Sequence, residues 1–134
     1  MTNKEIAKTW FAAMDANEFD SVKKLMDKQH LFHNPMSPAP LGPDEHIGMM
    51  QQMMSALEGK HQVDLLIGEG EYVTVKGQWS GKHTGELMGV PASGKAVRFS
   101  WIDIFHVVNG KVVDEYYEFN PMSLMTQIGA APSN

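Results

Sequence analysis

The chain is expected to fold as α+β, with three N-terminal helices packed on the concave side of one strongly curved, mainly antiparallel sheet. Three observations predict this. Apolar residues recur at helical spacing in the first part of the chain, and from residue 61 they alternate at period two. Asn109-Gly110 stands between two apolar runs, and both residue types tolerate the positive φ of a two-residue antiparallel hairpin. Helices first and strands second place the helices on one face of the sheet.

The elements follow in order. Thr2-Asn3-Lys4-Glu5 matches a capping box, and Ile6, Trp10, Phe11 and Met14 then mark an amphipathic helix over residues 3–16. Asp20 is expected to cap a second short helix carrying Val22, Leu25 and Met26 inward. Pro35, Pro38, Pro40 and Pro43 break residues 33–43 into an irregular segment. Pro43 opens a third helix with Ile47, Met50, Met53, Met54 and Leu57 on one side, and Gly59 is expected to end it. Residues 61–67, 72–80 and 97–108 are rich in β-branched and aromatic residues and read as strands. A last strand follows the turn as far as Phe119, Pro121 begins a helical turn over 122–128, and residues 130–134 should fray.

Composition narrows the function. At 134 residues the chain is expected to form one domain over 1–134, and 43% hydrophobic residues suffice for a core. A net charge of −5, a single arginine (Arg98) and no basic run argue against a nucleic-acid partner. With no cysteine there is no disulfide framework, thiolate metal site or cysteine nucleophile. The N-terminal stretch lacks a signal-peptide core, and no apolar run approaches the roughly 20 residues that span a bilayer. The expectation is a soluble cytoplasmic protein with no membrane partner.

Three stretches carry a family resemblance. They are Gly81-Lys82-His83-Thr84-Gly85-Glu86-Leu87-Met88-Gly89-Val90-Pro91; Gly94-Lys95-Ala96-Val97-Arg98-Phe99 with Ile102-Asp103-Ile104-Phe105; and Gly110-Lys111-Val112-Val113-Asp114, closing in Leu124, Gln127, Ile128 and Gly129. With Phe32-His33-Asn34-Pro35 before the third helix, the chain resembles the SnoaL-like polyketide cyclase and ester cyclase family of the nuclear-transport-factor-like superfamily. The resemblance implies a cone-shaped half-barrel, a cofactor-free aldol cyclisation or enolisation, and a homodimer formed through the outer sheet face. In the family's cyclases an Asp on the last strand is the acid/base, and a His on the preceding strand accompanies it. By position these are Asn120 and His106. A carboxamide cannot take and return a proton, and the family's His-Trp pair reads Glu115-Tyr116 here.

Strand alternation offers replacements. If Asn120 faces the cavity, Glu118 and Tyr116 share its face, so Glu118 is the candidate base and Tyr116 and Asn120 candidate donors to an enolate oxygen. His106 follows Ile102 and Ile104 at period two and is expected to point inward with them. The competing reading has Asn120 capping the helix that Pro121 starts and His106 as a core histidine bonded to backbone. Met50 and Met54, among eleven methionines, suit the lining of an apolar small-molecule pocket; Trp79, Ile104 and Tyr116 join them, with His33 at the rim. His83, bracketed by Gly81 and Gly85, reads mainly as part of a turn or bulge. His30 and His33 have a spacing that can ligate metal on a helix, but Pro35 argues against a continuous helix, and no metal or cofactor is expected. Two further readings stay open: a non-catalytic binding protein, and epoxide hydrolysis using Arg98 with Asp103 and Asp64.

Overall fold

The computed structural model describes residues 1–130. In chain order the elements are α1 (Asn3–Asp15), α2 (Phe19–Lys24), β1 (Met26–His33), α3 (Pro43–Ala56), β2 (Leu57–Glu69), β3 (Tyr72–His83), β4 (Ala96–Val108), β5 (Lys111–Phe119) and α4 (Pro121–Ile128). The strands make one curved, unclosed mixed sheet in the order β1-β5-β4-β3-β2, with β1 parallel to β5 and every other pair antiparallel. The N-terminal helices pack on its inner face.

Local chemistry explains most boundaries. Thr2 Oγ1 accepts the Glu5 N–H at 3.1 Å and starts α1. Asn109 (φ 51°) and Gly110 (φ 75°) take the left-handed region at the β4–β5 turn. Asn120 Oδ1 accepts the N–H groups of Met122 and Ser123 at 3.0 and 3.3 Å, capping α4 behind Pro121.

Four expectations are corrected. Glu18 precedes α2 as its cap position, and Asp20 lies inside the first turn. Leu25 and Met26 are buried as foreseen but fall after that helix, at its end and on β1. Strand β1 was not expected; Met26, His30 and Phe32 face inward while polar residues and the exposed Leu31 fill the other positions, and its partner lies some 80 residues away (Leu31 opposite Asp114). Helix α3 ends at Ala56 and runs straight into β2, so Gly59 is a strand residue. A Cβ at Gly59 would lie 2.2 Å from Ser80 O and 2.6 Å from the Trp79 ring, which crosses over it. Of residues 130–134, expected to fray, Ala130 donates its N–H to Met125 O at 2.7 Å, and 131–134 lie outside the described residues.

The core sits between α1 and the inner sheet face. Trp10, Trp101, Phe105, Val73, Val75 and Leu124 are essentially inaccessible. Phe11 stacks on Trp101 at 4.8 Å, and Trp10 meets Phe105 edge-on at 5.4 Å. Truncating one such ring to alanine costs roughly 3–5 kcal/mol in well-packed cores. No helix among the described residues is long and apolar enough to cross a membrane.

Candidate functional site

Between α3 and the inner faces of β1, β2, β4 and β5 the core opens into a cavity of about 100 Å³. Its wall is apolar, with Phe11, Phe32, Trp79, Phe99 and Phe119 beside six methionines (Met14, Met36, Met49, Met50, Met53 and Met54). Unbranched thioether side chains shift at little cost, so the cavity can widen for a ligand larger than the space at rest. Into this wall project six polar side chains: Asn34, His46, His61, Asp103, Glu115 and Tyr117.

Asp103 and Glu115 form the centre of the site. On the β4–β5 ladder Asp103 is opposite Tyr117 and Phe105 opposite Glu115, so the two acids are diagonal neighbours on one face. They are 0% and 3% exposed, and a proton held by the pair can hydrogen-bond one carboxyl to the other. Burial disfavours the charged forms. It holds Asp103 well above the usual carboxylate range, helped by the nearby negative charge of Glu115, and raises Glu115 to about 7. At neutral pH the pair therefore retains at least one proton. Burial and the same two acids raise the Tyr117 hydroxyl, so it stays a donor.

The histidines behind the pair have determined tautomers. The carbonyl of Val112 can only accept, so His30 Nδ1, 3.0 Å away, carries a proton. His30 Nε2 then holds a lone pair and accepts from His46 Nδ1 at 2.9 Å. That leaves the His46 Nε2 lone pair facing Glu115 Oε1 at 3.6 Å, on the side where a carboxyl proton is favoured. Burial lowers both histidines, His46 strongly, and the proximity of His30 adds to the effect at His46. Both are neutral at pH 7. His46 also stacks on Phe32 at 3.7 Å, which holds its ring in place.

His30, His46 and Glu115 offer ligand atoms within 4.8 Å of one another, a donor set that a zinc ion could use. As they stand, one proton occupies the 2.9 Å gap between the imidazoles, and a cation would have to displace it. Asn34 Oδ1 is taken by the Met36 N–H at 2.9 Å, which leaves its buried Nδ2 as an unpartnered donor at the cavity wall.

The structure separates the residues singled out from sequence. Met50, Met54 and Trp79 line the cavity. The inward facing expected of His106, Ile104, Tyr116 and Glu118 is reversed: these side chains lie on the outer sheet face. On β4 the inner face is the one carrying Val97, Phe99, Trp101, Asp103 and Phe105, because the larger aromatics pack under the helices, while Ile102 is 44% exposed. His106 stacks on Tyr72 at 4.5 Å and its Nε2 meets Glu71 Oε1 at 3.1 Å. His33 stacks on Tyr116 at 4.5 Å and pairs with Asp114 at 3.1 Å on the same outer face. Asn120 caps α4, its side-chain oxygen engaged by two backbone N–H groups.

His30 and His33 lie on a strand, where a spacing of three sends them to opposite faces. Arg98, Asp103 and Asp64 do not assemble either, since Asp103 is buried while Arg98 and Asp64 are exposed. His83 is buried away from the cavity with Nδ1 on Ser93 Oγ at 2.8 Å. Asp103, Glu115, His46 and His61 were missed as cavity groups. Two signals existed: Asp103 interrupts the aromatic face of β4, and His46 precedes Met50 and Met54 at successive steps of four.

The comparisons agree with this architecture. AclR of Streptomyces galilaeus, described as a candidate hydroxylase, superposes with a TM-score of 0.87 at 20% identity, covering 97% of each chain. A candidate SnoaL-like polyketide cyclase from Jannaschia sp. CCS1 gives 0.87 at 23% identity over 97% of this chain and 93% of its own. IdmH of Streptomyces antibioticus, a candidate polyketide cyclase, gives 0.85 at 17% identity over 96% and 99%. A search of curated proteins found no match. The family model for SnoaL-like polyketide cyclase matches residues 4–128, nearly the whole fold and every cavity residue, and the chain therefore belongs to the SnoaL-like polyketide cyclase family.

Proposed function

We propose that the protein is a cofactor-free enzyme that enolises, or closes by aldol addition, an apolar carbonyl-bearing molecule held in this cavity. One observation carries the reading: two buried carboxyl groups, close enough to share a proton, in a mainly apolar cavity wall. Burying ionisable groups costs stability, so an acid pair in a cavity wall points to a ligand that uses it. In this reading the proton retained by the Asp103–Glu115 pair goes to the substrate oxygen as negative charge develops there, with Tyr117 and Asn34 Nδ2 as further donors.

Catalysis was expected to reside in His106, Glu118 and Asn120; in the present reading it moves to the inner face. The alternative of a binding protein without chemistry arose from a carboxamide at position 120. It loses its main support, because Asp103 and Glu115 supply carboxyl groups inside the cavity. A homodimer through the outer sheet face also belongs to this proposal, motivated by the exposed Leu31, Ile67, Tyr72, Ile102 and Tyr116.

Deuterium wash-in tests the reaction. β-Keto esters and 1,3-diketones are incubated in D₂O and followed by NMR with wild type, Glu115→Gln and Asp103→Asn. Exchange above the buffer rate is expected in wild type, falling by about 100-fold in either variant. Equal exchange in all three proteins would remove the carboxyl pair from the mechanism.

A further inference from the structure

We propose that His61 is the base of this cavity and that Asp15 holds it in the form that accepts a proton. The proposal rests on the carbonyl reading above and assigns the step left open there, removal of the carbon-bound proton.

Asp15 is the last residue of α1, where the helix dipole is negative and a carboxylate is locally unfavourable. What offsets that placement is His61, on the inner face of β2. Asp15 Oδ2 accepts the His61 backbone N–H at 3.0 Å, and Oδ1 lies 2.7 Å from His61 Nδ1. An ionised carboxylate can only accept, so Nδ1 carries the ring proton and Nε2 keeps the lone pair. The ring lies 5.1 Å from Phe11 and 5.6 Å from Trp101, and the side chain is 7% exposed. His61 lines the cavity, and its Nε2 has no protein hydrogen-bond partner among the described residues.

The other cavity histidine cannot serve equally. His46 Nε2 already faces Glu115, and His46 has no carboxylate at its Nδ1, only the imidazole of His30. Of the two cavity histidines, only His61 pairs one ring nitrogen with a carboxylate while leaving the other without a protein partner among the described residues. His61, Asp103 and Glu115 all line the same cavity, and the buried Trp101 ring, 5.6 Å from His61 and two residues before Asp103 on the same face of β4, packs behind them. A substrate in that cavity would present its C–H to His61 and its carbonyl oxygen to Asp103 and Glu115.

The step balances without a co-reactant. His61 Nε2 takes the proton from a carbon next to the carbonyl, and the C–H electron pair becomes the enolate. The enolate oxygen is held by the protonated carboxyl. The imidazolium exchanges its proton with D₂O and returns a deuteron to the same carbon.

The test is the same wash-in panel with His61→Gln, Asp15→Asn and Asp15→Glu, joined by nitrogen-15 NMR of the histidine tautomers. In wild type, His61 should be protonated at Nδ1. His61→Gln should lose exchange by about 100-fold or more. In Asp15→Asn the one amide oxygen is claimed by the His61 N–H, so the amide donates to Nδ1 and drives the ring proton to Nε2. Exchange should fall with that tautomer change, and Asp15→Glu should restore part of it. If His61→Gln does not fold, the tautomer and exchange rate of Asp15→Asn decide the matter. Wild-type exchange in His61→Gln together with loss in Glu115→Gln would overturn the base assignment alone. So would an Nε2-protonated His61 in wild type. No exchange in wild type with any compound would overturn the carbonyl reading, and the base role with it.

Discussion

Glu115 is the residue whose ionisation the fold controls most directly. Its carboxyl is raised from an ordinary value near 4.5 to about 7 by burial. Between those values the unfolded chain releases a proton that the folded chain keeps, so this group's contribution falls as pH rises through that window and levels off above it. Glu115→Gln removes the titration. Its stability relative to wild type should therefore improve as pH rises from about 4.5 to about 7. Thermal melts of both proteins across that range measure this; a pH-independent difference would show that Glu115 is not held protonated. His30 and His46, lowered by the fold, act in the opposite sense and lose stability as pH falls, which is why the comparison is between variants. At this scale the sequence was least legible. Asp103 and Glu115 look like ordinary strand acids until the parity of β4 is known, and both of that strand's faces carry large apolar groups.

At the scale of the element, the boundaries set by local chemistry were readable and the one set by a distant partner was not. The Thr2 cap, Pro43 at the start of α3 and the Asn109-Gly110 turn depend on residues within a few positions of one another. Strand β1 depends on β5, and its own residues, half of them polar, carry no strand pattern. Asn120 illustrates a residue with two legible roles between which the element decides. Asn120→Ala should cost about 1 kcal/mol by unsatisfying the first turn of α4, whereas Asn120→Asp should retain the cap. Denaturant melts read the stability, and the wash-in panel should show unchanged exchange in both variants; a large loss of exchange would return Asn120 to the site.

For the whole molecule, the outer sheet face carries exposed apolar side chains, Ile102, Tyr72 and Tyr116, among its polar ones. Ile102, at 44% exposure, lies on that face between Lys76 of β3 and Glu118 of β5, with Tyr116 on the adjacent diagonal. In the proposed homodimer this face is covered, so Ile102→Lys should convert a species of twice 14.9 kDa to one of 14.9 kDa in light scattering after gel filtration. A wild-type monomer at micromolar concentration would remove the dimer from the proposal.

By itself the sequence determined the α+β class, the approximate positions of four helices and four strands, the β4–β5 turn and the family. Each rests on short-range chemistry or on motifs confined to one stretch of chain. Only the tertiary structure decided which strand face turns inward, and with it the identity of the cavity residues. A strand shows its two faces at a period of two whichever way it is turned, and the choice is made by the helices that cover it. Here the bulkier face of β4 went under α1, taking Asp103 inside, and the pairing with β5 carried Glu115 with it.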